Sequence, residues 1–145
     1  MNNPTSISRV PPLSAATQLL AAAGLPTNDL TDLHCQNFFY SGPATAPTGL
    51  VGLEMFGDVA LLRSLVVAPA GRSAGAGSSL VRHAEEQARA NGVRRLYLLT
   101  TTAEAFFERR GYRTAAREDA PAAIRTTREF AGICPASSAF MSKPL

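Results

Sequence analysis

Residues 59–100 read VALLRSLVVAPAGRSAGAGSSLVRHAEEQARANGVRRLYLLT, and the organisation of this stretch decides the fold. Val59 to Val67 is a strand-length run, apolar except for Arg63 and Ser64. A turn follows from Pro69 to Gly77. From there to about Ala90, Leu80, Val81, Ala84 and Ala88 recur at helical spacing and leave Arg82, Glu85, Glu86 and Arg89 for water. Glu85 and Arg89, one turn apart, form a favourable pair. Asn91-Gly92 closes the helix with a left-handed residue. Leu96 to Thr100 is then a second apolar strand, of the kind covered on both faces. A helix crossing between two strands demands that they pair in parallel. A glycine turn at the start of that helix directs backbone N–H groups and the positive helix end at an anion, above all a phosphate.

Upstream, Gly57-Asp58 is a tight hairpin signal that joins the long strand to another at Gly49 to Met55. Phe38 to Tyr40 adds a strand across the turn-rich loop Ser41 to Thr48 (SGPATAPT), and Ser8 to Val10 is a short edge strand broken by Pro11 and Pro12. Meandering strands of this kind pair antiparallel. A helix capped by Ser14 is expected through Ala23, closed by Gly24 and Pro26, with a further helical turn at Asp29 to Leu33. Downstream, Thr102 caps a short helix to Arg110 with Phe106 and Phe107 inward. A strand at Tyr112 to Ala115, a helix at Pro121 to Phe130 (PAAIRTTREF) and a strand at Ser138 to Ser142 complete the chain. The expected fold is therefore α/β (α+β), a mixed, mainly antiparallel sheet of about six or seven strands flanked by helices. The 145 residues fit one domain, with residues 1–6 frayed.

A hydrophobic content of 46% with mean hydropathy of +0.02 is ordinary for a globular chain. Leu13 to Leu25 has the look of a secretory core, but Ser14, Thr17 and Gln18 interrupt it and only Arg9 precedes it. The reading is a buried-face helix and a cytoplasmic protein. Cys35 and Cys134 are too few for a disulfide scaffold and neither has metal-ligand spacing, so no metal is expected. The net charge of +3 comes almost entirely from arginine. Every basic residue but Arg9 lies beyond position 57, and Lys143 is the only lysine. Arginine suits planar, bidentate capture of phosphates and carboxylates. No basic run interleaved with aromatics appears, which favours a nucleotide-like small molecule over nucleic acid, and nothing points to a membrane. Exposed edge strands are where a homodimer would form.

The turn is neither of the common phosphate loops. A Walker loop needs Lys followed by Ser or Thr after its last glycine, and a dinucleotide fingerprint needs glycine where Leu80 stands. What remains is Arg72-Ser73-Ala74-Gly75-Ala76-Gly77. Gly75 and Gly77 let backbone approach a ligand closely, the helix dipole adds partial positive charge, and Arg72 adds a full one.

Arg72 to Gly77 resemble the signature Arg/Gln-x-x-Gly-x-Gly/Ala of the GCN5-related N-acetyltransferase family. Ala103 to Tyr112 (AEAFFERRGY) resemble its second element, Ala-x-x-Phe-Tyr-x-x-x-Gly-Phe, apart from Phe107 and Tyr112. The order of elements agrees over roughly residues 5–145. The resemblance implies a sheet splayed between parallel fourth and fifth strands, with acetyl-coenzyme A in the gap. It implies that Leu65, Val66 and Val67 pair with the pantetheine arm. The N–H groups of Arg72, Ser73, Ala74, Gly75, Ala76, Gly77 and Ser78 would hold the pyrophosphate, with Phe107 also on the cofactor side. A closer likeness is to small acetyltransferases of bacterial arsenic-resistance operons. It is carried by Ala60 to Val67 (ALLRSLVV), Leu98 to Ala103 (LLTTTA) and Phe130 to Ser138 (FAGICPASS).

The implied reaction is direct transfer of an acetyl group to the amine of a small molecule. It needs a neutral amine, a polarised thioester carbonyl and a protonated leaving thiolate. A backbone N–H near Leu65 or Val67 polarises the carbonyl. Glu54 is the expected base. Phe107 stands where the family places its tyrosine acid and cannot donate a proton, leaving Ser64, Thr100, Thr101, Cys134 or water. Arg63, in an apolar strand, either pairs with a carboxylate such as Glu54 or clamps an anionic acceptor, and the clamp is the reading preferred. Thr100 and Thr101 lie at the carboxyl end of their strand, where such sheets meet ligand. The alternative function is a non-catalytic acyl-coenzyme A-binding or sensing module.

Overall fold

Strand propensity, hairpin glycine and helical stripe produce the expected mixed sheet in a computed structural model that describes residues 6–69, 75–133 and 138–145. In chain order these are β1 (Ile7–Arg9), α1 (Leu13–Ala22), α2 (Asp32–Cys35), β2 (Phe38–Ser41), β3 (Gly49–Phe56), β4 (Val59–Val67) and α3 (Ala76–Ala90). After them come β5 (Arg95–Thr100), α4 (Glu104–Glu108), β6 (Arg113–Thr114), α5 (Ala122–Arg125), a π-helical turn (Glu129–Ile133) and β7 (Ala139–Pro144). The sheet order is β1-β2-β3-β4-β5-β7-β6. Every pairing is antiparallel except β4 with β5.

Two irregularities in β4 position the site. The parallel ladder runs from Val59↔Arg95 only as far as Leu61↔Tyr97. On its other edge β5 stays paired with β7 out to Thr100↔Ala139. The sheet therefore opens between β4 and β5 rather than fraying. On the β3 side, Gly52 faces Arg63 but Leu50 faces Val66, so β4 carries one extra residue. Ser64 sits there at φ +61. A left-handed serine costs about 1–2 kcal/mol, and a bulge of this type re-aims the strand beyond it. The side-chain alternation shows the change. Ala60 and Leu62 pack in the core under α3, and Leu61 packs on the opposite face. Past the bulge the odd-numbered Leu65 and Val67 are the ones packed on the α3 side.

Among the described residues three apolar clusters form the core. Leu80, Val81, Ala84 and Ala88 of α3 cover one face together with Phe107 of α4. On the other face Ala16 and Leu20 of α1 and Cys35 of α2 pack on Phe38, Leu50 and Val66. Ile124 of α5 packs with Leu61, Tyr97 and Phe140. Among the described residues no helix is long and apolar enough to cross a membrane.

Several local expectations are corrected. Ser14 lies inside α1, which starts after Pro12 with no side-chain cap. Thr31 caps α2 by accepting the His34 N–H at 3.4 Å, so that helix begins later than the expected Asp29. Glu85 does not face water but is buried. It accepts hydrogen bonds from the Tyr112 hydroxyl at 2.9 Å and Lys143 Nζ at 3.0 Å, because β7 brings Lys143 across that side of the helix. Ahead of α4 it is Thr100 Oγ1, not Thr102, that accepts the Ala103 N–H, at 3.0 Å. The helix expected over residues 121–130 breaks. The Thr127 hydroxyl donates to the Ile124 carbonyl at 2.7 Å and accepts the Phe130 N–H at 3.3 Å. Local side-chain bonds of this kind compete with the helical ladder. The break turns Glu129 inward against Arg63, where a continuous helix was expected.

Candidate functional site

Where β4 and β5 part, a cavity of about 630 Å³ opens. Leu62 to Leu65 line it from β4, Leu98 to Ala103 from β5 and the segment beyond it, and Phe107 from α4. Gly24 to Pro26 and Asn28 close it from the α1 side, and Glu129, Gly132 and Ser138 from the C-terminal segment. This volume is in the range of small-molecule sites. The structure thus brings Arg63, Ser64, Leu65, Thr100, Thr101 and Phe107 to one place. Val66 instead is buried in the core beneath α1. Glu54 is not among the lining residues.

The charged centre of the site is Arg63, whose side chain is 0% exposed. Its Nη1 donates to Asp29 Oδ2 at 2.5 Å and Glu54 Oε2 at 2.7 Å, and its Nη2 to Asp29 Oδ1 at 2.8 Å. Nη2 also lies 3.1 Å from Glu129 Oε2, and Nε donates to the Ser64 hydroxyl at 3.1 Å. Arg63 and Glu54 share a face because Glu54 stands two residues beyond Gly52, the register partner of Arg63. The clamp reading of Arg63 does not fit this geometry, because its fork is spent on three carboxylates and presents no donor to a ligand. Burial alone would push the Arg63 pKa down, but the carboxylates outweigh it and hold the guanidinium firmly charged. Burial likewise raises the Asp29 pKa, and the bond and charge from Arg63 more than reverse it, leaving the carboxyl below its ordinary range.

His34 stands behind this cluster, its Nδ1 3.0 Å from Thr31 Oγ1 and its Nε2 3.9 Å from Glu54 Oε2. Donor atoms of Asp29, His34 and Glu54 lie within 4.8 Å of one another, a spacing that admits a metal ion. The cation held between the two carboxylates is the Arg63 guanidinium. Sequence reasoning proposed Glu54 and Arg63 but missed Asp29, Glu129 and His34. Its one available signal was the rule that a charge in an apolar strand needs partners.

The second half of the site is the start of α3. Gly75 takes φ +85, and a Cβ there would meet nothing within 4 Å, so the backbone is open to a ligand. Gly77 packs closely, since a Cβ would lie 3.2 Å from the Phe106 ring. The Arg110 guanidinium lies 3.6 Å from the centroid of the same ring. It donates to Ser78 Oγ from Nε at 2.7 Å, and also from Nη2, and to the Phe106 carbonyl at 2.7 Å. Arg110 is thus a cation held at the first turn of α3 that the sequence reading overlooked. Arg72, Ser73 and Ala74, expected to hold phosphate, and Cys134 lie outside the described residues. Phe107 is buried edge-on between Phe106 and Tyr112. Tyr112 does not replace the missing tyrosine acid. Burial first, then the charge and bond of Glu85, push its hydroxyl far above the usual phenol range.

A sheet opened between parallel strands, with a bulge on one lip and a glycine-started helix beneath, defines the class. The chain belongs to the Acetyltransferase (GNAT) family, whose profile matches residues 24–112. It is similar to an amino-acid acetyltransferase of Ralstonia nicotianae, 44% identical over 57 residues, which are 39% of this chain and 13% of that protein. The chain therefore spans about an eighth of the length of that curated relative. Among solved structures it resembles N-acetylglutamate synthase from Neisseria gonorrhoeae complexed with coenzyme A and N-acetyl-glutamate. The TM-score is 0.79 at 23% identity, covering 97% of this chain and 35% of that one. Rv2747 from Mycobacterium tuberculosis, in complex with CoA and NLQ, matches at TM-score 0.78 and 22% identity, with 97% and 99% of the two chains covered.

Proposed function

We propose that this protein is an acetyl-coenzyme A-dependent N-acetyltransferase acting on the amine of a small molecule in the cytoplasm. The observation that carries the reading is the open β4–β5 lip, lined by a cavity, with the start of α3 beside it. Acetyl-coenzyme A lies along Leu65 to Val67 with its pyrophosphate on Arg72 to Ser78 and Arg110 nearby. The neighbours crystallised with coenzyme A support this choice of co-substrate. The acceptor enters from the side of Gly24 to Asn28 and meets Thr100 and Thr101. Its amine nitrogen attacks the thioester carbon directly, the carbon–sulfur bond breaks, and the thiolate takes a proton from water or a hydroxyl in the cavity. The bulge at Ser64 turns the strand so that a backbone N–H polarises the carbonyl, and holding thioester and amine together supplies much of the acceleration. Glu54, set back from the cavity, receives the amine proton through a bridging water. The likeness to acetyltransferases of arsenic-resistance operons extends the proposal to an amine-bearing arsenical as one acceptor.

Two variants test this reading. Arg72→Glu is expected to weaken acetyl-coenzyme A binding roughly tenfold by calorimetry while the melting temperature holds, since a charge at a helix start is reversed. Unchanged affinity removes the phosphate site. Glu54→Gln is expected to lower kcat by about 10²-fold with acetyl-coenzyme A affinity unchanged. A wild-type kcat excludes Glu54 as the proton acceptor. Release of coenzyme A thiol, followed across an amine panel that includes an aminoalkyl arsenical, reports turnover. Binding with no thiol release for any amine would make the protein a coenzyme A sensor instead.

A further inference from the structure

Among the described residues Val10 and Ser64 are the non-glycine residues in the left-handed region, and of the two only Ser64 lines the cavity. Glycine would take φ +61 without strain, so the bulge itself has no need of a side chain. What serine adds there is a hydroxyl. Residues held in strained backbone gather where the geometry serves a ligand. The hydroxyl is also prepared to donate. Arg63 Nε donates to Ser64 Oγ at 3.1 Å, and among the described residues this is the one hydrogen bond the Ser64 side chain makes. The Asp29, Glu54 and Glu129 carboxylates meet the guanidinium at its two Nη atoms, which leaves Nε to Ser64. A hydroxyl that accepts still has its own proton to give, and accepting from a charged donor strengthens that gift. Thr100 Oγ1, in the same wall, accepts only the neutral Ala103 N–H, at 3.0 Å.

Resting on the acetyltransferase reading, we infer that the Ser64 hydroxyl donates a hydrogen bond to the thioester carbonyl of bound acetyl-coenzyme A. It is then a side-chain donor beside the backbone N–H that the β4 lip supplies. Ser64 directly precedes Leu65, so its O–H and the next backbone N–H stand on neighbouring groups of one chain and can converge on one oxygen. No proton changes hands in this role. As the amine nitrogen adds, the carbonyl oxygen gains negative charge, and a fixed donor stabilises it more then than in the bound ground state. Arg63 takes part as a positioning residue, since its bond to Oγ fixes where the hydroxyl stands.

The test compares Ser64→Gly and Ser64→Ala with the wild type. Both lose the hydroxyl. Glycine takes the left-handed backbone freely and alanine keeps the wild-type strain, so a loss common to both belongs to the hydroxyl. Both are expected to fold, because Asp29, Glu54 and Glu129 still hold the guanidinium, and the unfolding midpoint checks this. Each variant should lower kcat in the thiol-release assay by about 10- to 100-fold and change acetyl-coenzyme A affinity by less than about threefold. Infrared difference spectra of isotope-labelled acetyl-coenzyme A read the bond itself. The bound thioester carbonyl band should lie at lower frequency in the wild type than in either variant. An unchanged band and kcat in both variants overturn the inference and leave the acetyltransferase reading standing. So does a loss of kcat with an unmoved band, or a loss confined to the alanine variant. A band that depends on Ser64, with no thiol release for any amine, overturns the acetyltransferase reading and leaves the inference standing. Absence of acetyl-coenzyme A binding to the wild type overturns both.

Discussion

Arg63→Met is expected to lower the unfolding free energy by about 3–5 kcal/mol, read as a shift in the denaturant midpoint. Met keeps the apolar stem volume inside the sheet but withdraws the guanidinium that Asp29, Glu54 and Glu129 share. The penalty is then three carboxylates buried or half-buried together, not merely a lost contact. The pH dependence separates this cause from simple loss of packing. In the wild type the folded Asp29 pKa lies below the ordinary 3.8. The stability this provides is present above pH 3.8 and lost as pH falls through the depressed folded value. In the variant the arginine contribution is gone and burial dominates, so the folded pKa moves above the unfolded one. Protonation then relieves the fold, and the variant should gain stability on acidification from neutral pH while the wild type does not. Parallel stability–pH curves for the two proteins would show that Arg63 acts only by filling space.

The fold was legible because its largest signals are local. Gly57-Asp58 placed the β3–β4 hairpin, the stripe from Leu80 to Ala88 placed α3, and the crossover forced β4 and β5 to be parallel. The bulge was not legible. A serine at φ +61 has no signature in composition, and only the register shift between Gly52 and Leu50 reveals it. The site was half legible for the same reason. Arg63 stood out as a charge in an apolar strand, but its partners come from three separated segments around Asp29, Glu54 and Glu129, and no spacing links them. Glu85 shows the converse error. Helical periodicity put it toward water, whereas Tyr112 and Lys143 arrive from distant strands to enclose it. Periodicity reports which face of an element is apolar and is silent about what tertiary packing brings to the other.

Gly52→Val is expected to destabilise by about 3 kcal/mol and to disable the site with it. Gly52 is the register partner of Phe38 on one side and of Arg63 on the other. A Cβ at this position would lie 2.2 Å from Phe38 Cε1 and 2.5 Å from two further ring carbons. Phe38 is 0% exposed beneath α1 and α2, so the ring has no solvent to swing into. Its ring also lies 5.9 Å from the Arg63 guanidinium, so any displacement is felt by the cluster that holds Asp29, Glu54 and Glu129. Strand propensity favours valine over glycine by up to ~1 kcal/mol, which is too little to offset the overpacking. The double variant Phe38→Leu with Gly52→Val supplies the decisive comparison. Removing the ring carbons that meet the new Cβ should return at least half of the lost stability and restore turnover, a coupling expected only of residues in direct contact. Additive losses in the double variant would place the cause in the backbone of β3 instead of in the Phe38 ring.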